Sequence, residues 1–137
     1  MSHVSFPFKK LGSITIINGN SKNSIKSFQV EVAESTYEIF QSLNIRKISD
    51  FKKPLLLKIK DPWLQNFVLF DNEFPIEVLT FNSDNVLSNV FIIPAKSAGG
   101  FFIKSFSGFG MVLLSKPSDN ISKKYNMVIN HTSIALV

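Results

Sequence analysis

Cysteine is absent from the 137 residues, arginine occurs once and histidine twice. Without a thiol there is no cysteine nucleophile, thiolate zinc site, iron–sulfur cluster or disulfide switch. His3 and His131 stand near opposite termini, with no partner at the spacing of a metal site or a catalytic triad, and read as surface residues. Long apolar runs are also missing. Uncharged stretches such as Ser105–Ser115 cover only about half of the ~20 residues a membrane-spanning helix requires, so no span is expected. Internal repeats and low-complexity segments are lacking too.

What is present is a core. Hydrophobic side chains make up 45% of the chain and phenylalanine occurs 14 times, which excludes disorder and predicts one compact β-rich domain over residues 1–137 that folds without staple, metal or cofactor. Lys9 and Lys10 precede the short apolar stretch Leu11–Ile17, but Gly12, Ser13 and Thr15 interrupt it and Asn18-Gly19 follows in place of a cleavage site, so it reads as a strand. The chain as it stands reads as cytoplasmic; a leader removed earlier would make it secreted or periplasmic.

Gly, Pro, Asn and Asp recur at short intervals, a spacing that favours strands. Gly12–Ile17 and Ile25–Ala33 are predicted strands around an Asn18–Ser24 turn, with Phe28, Val30 and Val32 on one face and Gln29 and Glu31 on the other. Ser35-Thr36-Tyr37-Glu38 is a capping box opening a helix over Thr36–Leu43: Ser35 accepts the Glu38 amide while the Glu38 carboxylate reaches back to Ser35. Leu55–Ile59, Phe67–Phe70, Ile76–Phe81, Val86–Ile93, Phe101–Phe106 and Phe109–Leu114 read as a meander, followed by a helical turn at Ser118–Lys124 and a closing strand, Asn126–Asn130, with Met127 and Ile129 inward. About nine strands in so small a domain must curl or close. The expected fold is α+β: a mostly antiparallel, barrel-like sheet with one packed helix.

Val30-Glu31-Val32-Ala33, a helix ending Ser42-Leu43-Asn44-Ile45-Arg46, Pro54–Ile59, then Phe67–Phe81 with Pro75 inside, form a recognisable series. It resembles the bacterial and archaeal family catalogued as domain of unknown function 192, with its V-E-V-A strand, G-L-M-F-R helix end and F-W-M-K-N-T-x-I-P-L-D-I-I-F-I-D block. The later strands, Phe91–Pro94, Gly110–Ser115 and Tyr125–Asn130, follow in the same order, so the family-like core spans about 27–130. The G-L-M-F-R signature keeps only its leucine and arginine, and the K-N-T triplet becomes Phe70-Asp71-Asn72 or Asp71-Asn72-Glu73. The resemblance implies a compact β-rich domain with a helix packed on a barrel-like sheet and no established activity.

Charge is uneven. Residues 46–60 hold Arg46, Lys47, Lys52, Lys53, Lys58 and Lys60 against Asp50 alone, whereas residues 71–84 hold Asp71, Glu73, Glu77 and Asp84 without a base. One reading of the basic stretch is a nucleic-acid groove with Trp63 stacking on a base; the simpler one is a solvated edge strand whose lysines deter edge-to-edge pairing. Asp71, Glu73 and Glu77 could supply an acid–base pair or, with Asn72 and Asp84, oxygen ligands for calcium, but carboxylates beside a proline-containing connection more often lie at turns and rims. Arg46, the single arginine, could fork onto a ligand carboxylate or onto one of Asp71, Glu73 and Glu77. Ser107-Gly108-Phe109-Gly110 reads as a hairpin turn and Ala98-Gly99-Gly100 as a loop. The Phe-rich strand 101–109 is either covered on both faces or an oligomer contact.

No nucleophile, base and orienting group can be assembled, so the leading expectation is a non-catalytic binding or accessory module for an unknown small ligand or protein partner. A ligand-binding cluster of Arg46, Asp71, Asn72 and Trp63 is the expected site. The alternatives are a small enzyme built on Asp71, Asn72 and Arg46, and a basic nucleic-acid module.

Overall fold

In the computed structural model of the protein, the residues described are 10–19, 21–35, 38, 52–59, 74–95 and 110–136, with 21–25 and 59 as backbone only. Seven strands build one sheet: β1 (Leu11–Asn18), β2 (Ser21–Ala33), β3 (Leu55–Ile59), β4 (Ile76–Phe81), β5 (Leu87–Ile93), β6 (Gly110–Ser115) and β7 (Thr132–Leu136). A 3-10 turn at Pro117–Asp119 leads into a single helical turn, α1 (Ile121–Lys124). The fold is thus mostly β. Among the described residues no helix is long and apolar enough to cross a membrane.

The strand order is β5-β4-β6-β3-β2-β1-β7. Every neighbouring pair is antiparallel except β2–β3, which is parallel and matches Glu31, Val32 and Ala33 to Leu55, Leu56 and Leu57. The expected meander is therefore corrected. Of the consecutive strands only β1–β2 and β4–β5 pair antiparallel, while β6 inserts between β3 and β4 and β7 returns to β1. A parallel pair needs a crossover, not a hairpin, and the segment between β2 and β3 is where the capping box predicted a helix. Its start is present: Glu38 is helical, its amide donates to Ser35 Oγ at 3.0 Å, and the Ser35 amide donates to Glu38 Oε1 at 3.0 Å. The rest of the expected Thr36–Leu43 helix, and the strands Phe67–Phe70 and Phe101–Phe106, lie outside the described residues.

Alternation decides what is buried. Ile14 and Ile16 on β1, Val30 and Val32 on β2, Leu56 on β3, Leu79 and Phe81 on β4, Leu87 on β5, Met111 and Leu113 on β6 and Ile134 on β7 share one core, with Ile121 of α1 packed among them. One face of all seven strands thus converges on one apolar interior, as period-two patterning dictates. The opposite face is buried as well in the middle of the sheet: Leu55, Leu57, Val78, Val112 and Leu114 are fully inaccessible. That corrects the solvated-edge reading of the basic stretch. β3 lies inside the sheet, between β2 and β6, and the edges of the order are β5 and β7.

The expected closing strand Asn126–Asn130 is also corrected. Asn126 and Asn130 adopt left-handed φ values of 52° and 69°, which a strand excludes and asparagine tolerates. The segment turns instead, with Met127 donating to Ser122 O at 2.8 Å and His131 to Val128 O at 3.0 Å, and the strand begins at Thr132. Met127 packs against the core as expected, but Ile129 is exposed.

Candidate anion-binding groove

The short helical turn α1 is fixed by a carboxylate from below. Glu77 sits on β4 with Leu79 and Phe81, on the core face, and is only 5% exposed. It accepts three hydrogen bonds, from Ser115 Oγ at 3.2 Å, the Ile121 amide at 3.1 Å and Ser122 Oγ at 2.8 Å. Glu77 thus satisfies the first amide of a helical turn whose own N-cap, Asn120, makes no side-chain cap bond. The rim position expected for this carboxylate is overturned: burying it is compensated by three donors. Its share in a calcium site falls as well. Asp84 is exposed in the β4–β5 turn, with Glu77 near the other end of β4, about 13 Å back along the strand at its rise per residue.

With α1 held there, Tyr125 stacks on Phe28 of β2, ring centroids 5.1 Å apart and planes 16° from parallel. Lys124 places its ammonium 5.5 Å from the Tyr125 ring centre, within cation–π range. From the other side comes the segment before β3. The Glu31 amide donates to Pro54 O at 2.9 Å, tying Lys52, Lys53 and Pro54 to β2. Phe28, Gln29, Lys52, Lys53, Asp119 and Tyr125, with Lys124, thereby line a groove of about 570 Å³. Among the described lining residues three lysines face one carboxylate, Asp119, so that this lining is cationic. Lys52, Gln29, Ser118, Asp119 and Lys124 are exposed, leaving its mouth open to solvent.

The basic stretch is divided by the fold. Lys58 donates to Glu34 Oε1 at 3.4 Å, and Lys10 to the same oxygen at 3.0 Å, so Lys58 belongs to a surface ion cluster apart from the groove. The hydrogen bond from Lys10 is the main influence holding the Glu34 carboxyl below its ordinary value. Glu38 is lowered likewise, chiefly by the Ser35 backbone amide. Of the residues expected at the site, Arg46, Trp63, Asp71 and Asn72 lie outside the described residues, as do Glu73, the 101–109 strand, the turn at 107–109 and the 98–100 loop. His131 is exposed, and its carbonyl accepts from the Gly19 amide at 3.1 Å. Among the described residues no three His, Asp or Glu side chains come together as a metal site would require. Sequence reading missed Phe28, Lys124 and Tyr125 as site residues; the Lys124-Tyr125 pair at the end of a helical turn was the available signal.

A β-rich chain with a mixed seven-stranded sheet and an open basic groove is the class that fold and site define. No family model and no curated protein matches the chain. Two solved structures share its fold. One, of a candidate transcription regulator from Sinorhizobium meliloti 1021, aligns with a TM-score of 0.65 at 13% identity over 92% of this chain and 93% of its own. The other, of a protein of unknown function from Novosphingobium aromaticivorans DSM 12444, aligns with a TM-score of 0.53 at 11% identity over 90% and 83%. At these identities the likeness is one of fold.

Proposed function

We propose that the protein is a non-catalytic binding module and that the groove between α1 and the segment before β3 is its contact surface, taking an anionic partner. The observation that carries the reading is the convergence of Lys52, Lys53 and Lys124 beside the Phe28–Tyr125 stack. Isolated surface lysines are unremarkable, but three beside a half-buried aromatic pair form a concave surface with a favourable field for anions. We also read the sheet as barrel-like. The isolated bridge Val86–Ser133, with Ile134 donating to Asn85 O at 3.0 Å and Asn130 to Leu87 O at 2.8 Å, supports this by drawing β7 toward the start of β5. The resemblance to the domain of unknown function 192 family is supported by order alone: strand, capped helix start, strand, then β4 after Pro75.

The test is a thermal-shift screen of phosphates, sulfated sugars, acidic peptides and oligonucleotides. A ligand at one hundred times its dissociation constant stabilises by about 2.7 kcal/mol. Stabilisation that disappears in Lys52→Ala/Lys53→Ala/Lys124→Ala supports the reading. Absence of any anion response, or a response the triple variant keeps, removes it.

A further inference from the structure

We infer that the groove binds single-stranded nucleic acid, with backbone phosphates on its lysines and a base against Tyr125. This deepens the anionic-partner reading and rests on it. Among the described lining residues the cations are all ammonium groups, compact point charges suited to phosphate oxygens, whereas planar carboxylates favour the arginine fork, which is absent among them. The cationic surface also runs on beyond the groove. Lys26 precedes Phe28 by two residues on β2, so it shares the face of Phe28 about 7 Å further along the strand, and it is exposed. A track of charge with an aromatic platform beside it suits an extended chain of phosphates and bases better than one compact anion. The exposed rim leaves the groove open to such a chain. The reason for reading the basic stretch as a protected edge strand is gone, because β3 is interior.

The experiment is fluorescence anisotropy with a labelled oligothymidylate of about ten nucleotides, titrated at several salt concentrations. With the three groove lysines on phosphates, log K against log salt should fall with a slope of about −2, and Lys52→Ala/Lys53→Ala should reduce it to about −0.7. Tyr125→Leu should weaken binding roughly tenfold at unchanged slope, while Tyr125→Phe keeps affinity. Both lysines are solvent-accessible, so an unaltered melting temperature certifies the double variant. Polyglutamate, inorganic pyrophosphate and a mononucleotide are the competitors. If any of them displaces the oligonucleotide at equal charge concentration, the groove binds anions but is not built for a strand, and this inference falls while the anionic-partner reading stands. If no anion binds, both fall. If the oligonucleotide binds and the lysine variants leave the slope unchanged, the strand lies elsewhere and the inference is overturned.

Discussion

Removing the Glu77 side chain should be among the most damaging single changes to the sheet. Glu77→Ala leaves the Ile121 amide and the Ser115 hydroxyl without their acceptor in a site that is 5% exposed, while Ser122, half-buried, can turn to water. A buried polar group deprived of its partner costs about 1–3 kcal/mol, so the two together, discounted for relaxation, cost about 3 kcal/mol. For a domain of this size that corresponds to a melting temperature roughly 12 °C lower. Glu77→Gln retains an oxygen for Ile121 and Ser115 and presents an amide to the Ser122 oxygen, so its loss should be near 1 kcal/mol. Urea unfolding of the three proteins, with the m-value checked for constancy, measures both numbers. Equal losses for the alanine and glutamine variants, or a loss below about 1 kcal/mol for Glu77→Ala, would refute the role assigned to these hydrogen bonds. Because Lys124 and Tyr125 ride on α1, Glu77→Ala should also weaken binding at the groove more than Glu77→Gln does.

Three further outcomes are expected. In Gly19→Ala the new Cβ would sit 2.8 Å from the His131 carbonyl oxygen, a backbone atom that cannot swing aside, and stability should drop by about 1–3 kcal/mol in urea; a wild-type midpoint would contradict the tight approach of these two turns. Thr132→Val removes the acceptor of the Val128 amide at 2.7 Å and the donor to Asn18 Oδ1 at 3.0 Å, at a cost of about 2 kcal/mol in the same assay, and a loss within error would show that water replaces both bonds. Glu34 and Glu38 titrate in the folded protein below their ordinary 4.5, so the stability they supply is complete above that value and is lost as pH falls through the depressed folded values. Glu34→Gln/Glu38→Gln should therefore lose less stability than wild type between about pH 6 and about pH 3, and identical pH slopes in the two proteins would exclude the linkage.

Local chemistry was legible and long-range pairing was not. The runs Leu55–Ile59 and Ile76–Phe81 stand in the structure as read, because turn residues bound each of them. The Ser35–Glu38 box forms as its spacing requires. Strand order is different in kind: nothing near Gly110–Ser115 says that it pairs with β3 on one side and β4 on the other, since that choice depends on which apolar faces meet across the chain. Hence the lysines of residues 46–60 looked like an edge, and Glu77 looked like a rim carboxylate, although its parity with Leu79 and Phe81 already placed it on the inner stripe. The groove was illegible for the same reason, as Phe28, Lys52 and Tyr125 are neighbours only through β2, the segment before β3 and α1. Asn126 and Asn130 show the opposite failure: an apolar pair between them suggested a strand, and the backbone freedom of asparagine gave a turn.

The position of β1 shapes how the chain must be made. β1 and β2 can zip up as soon as both leave the ribosome, yet the other flank of β1 waits for β7, with Asn18 and its partner Thr132 separated by 114 positions. Through most of synthesis the nascent hairpin carries an open row of amides and carbonyls beside Ile14 and Ile16, which is when a second nascent copy, or a chaperone, has its opportunity to bind.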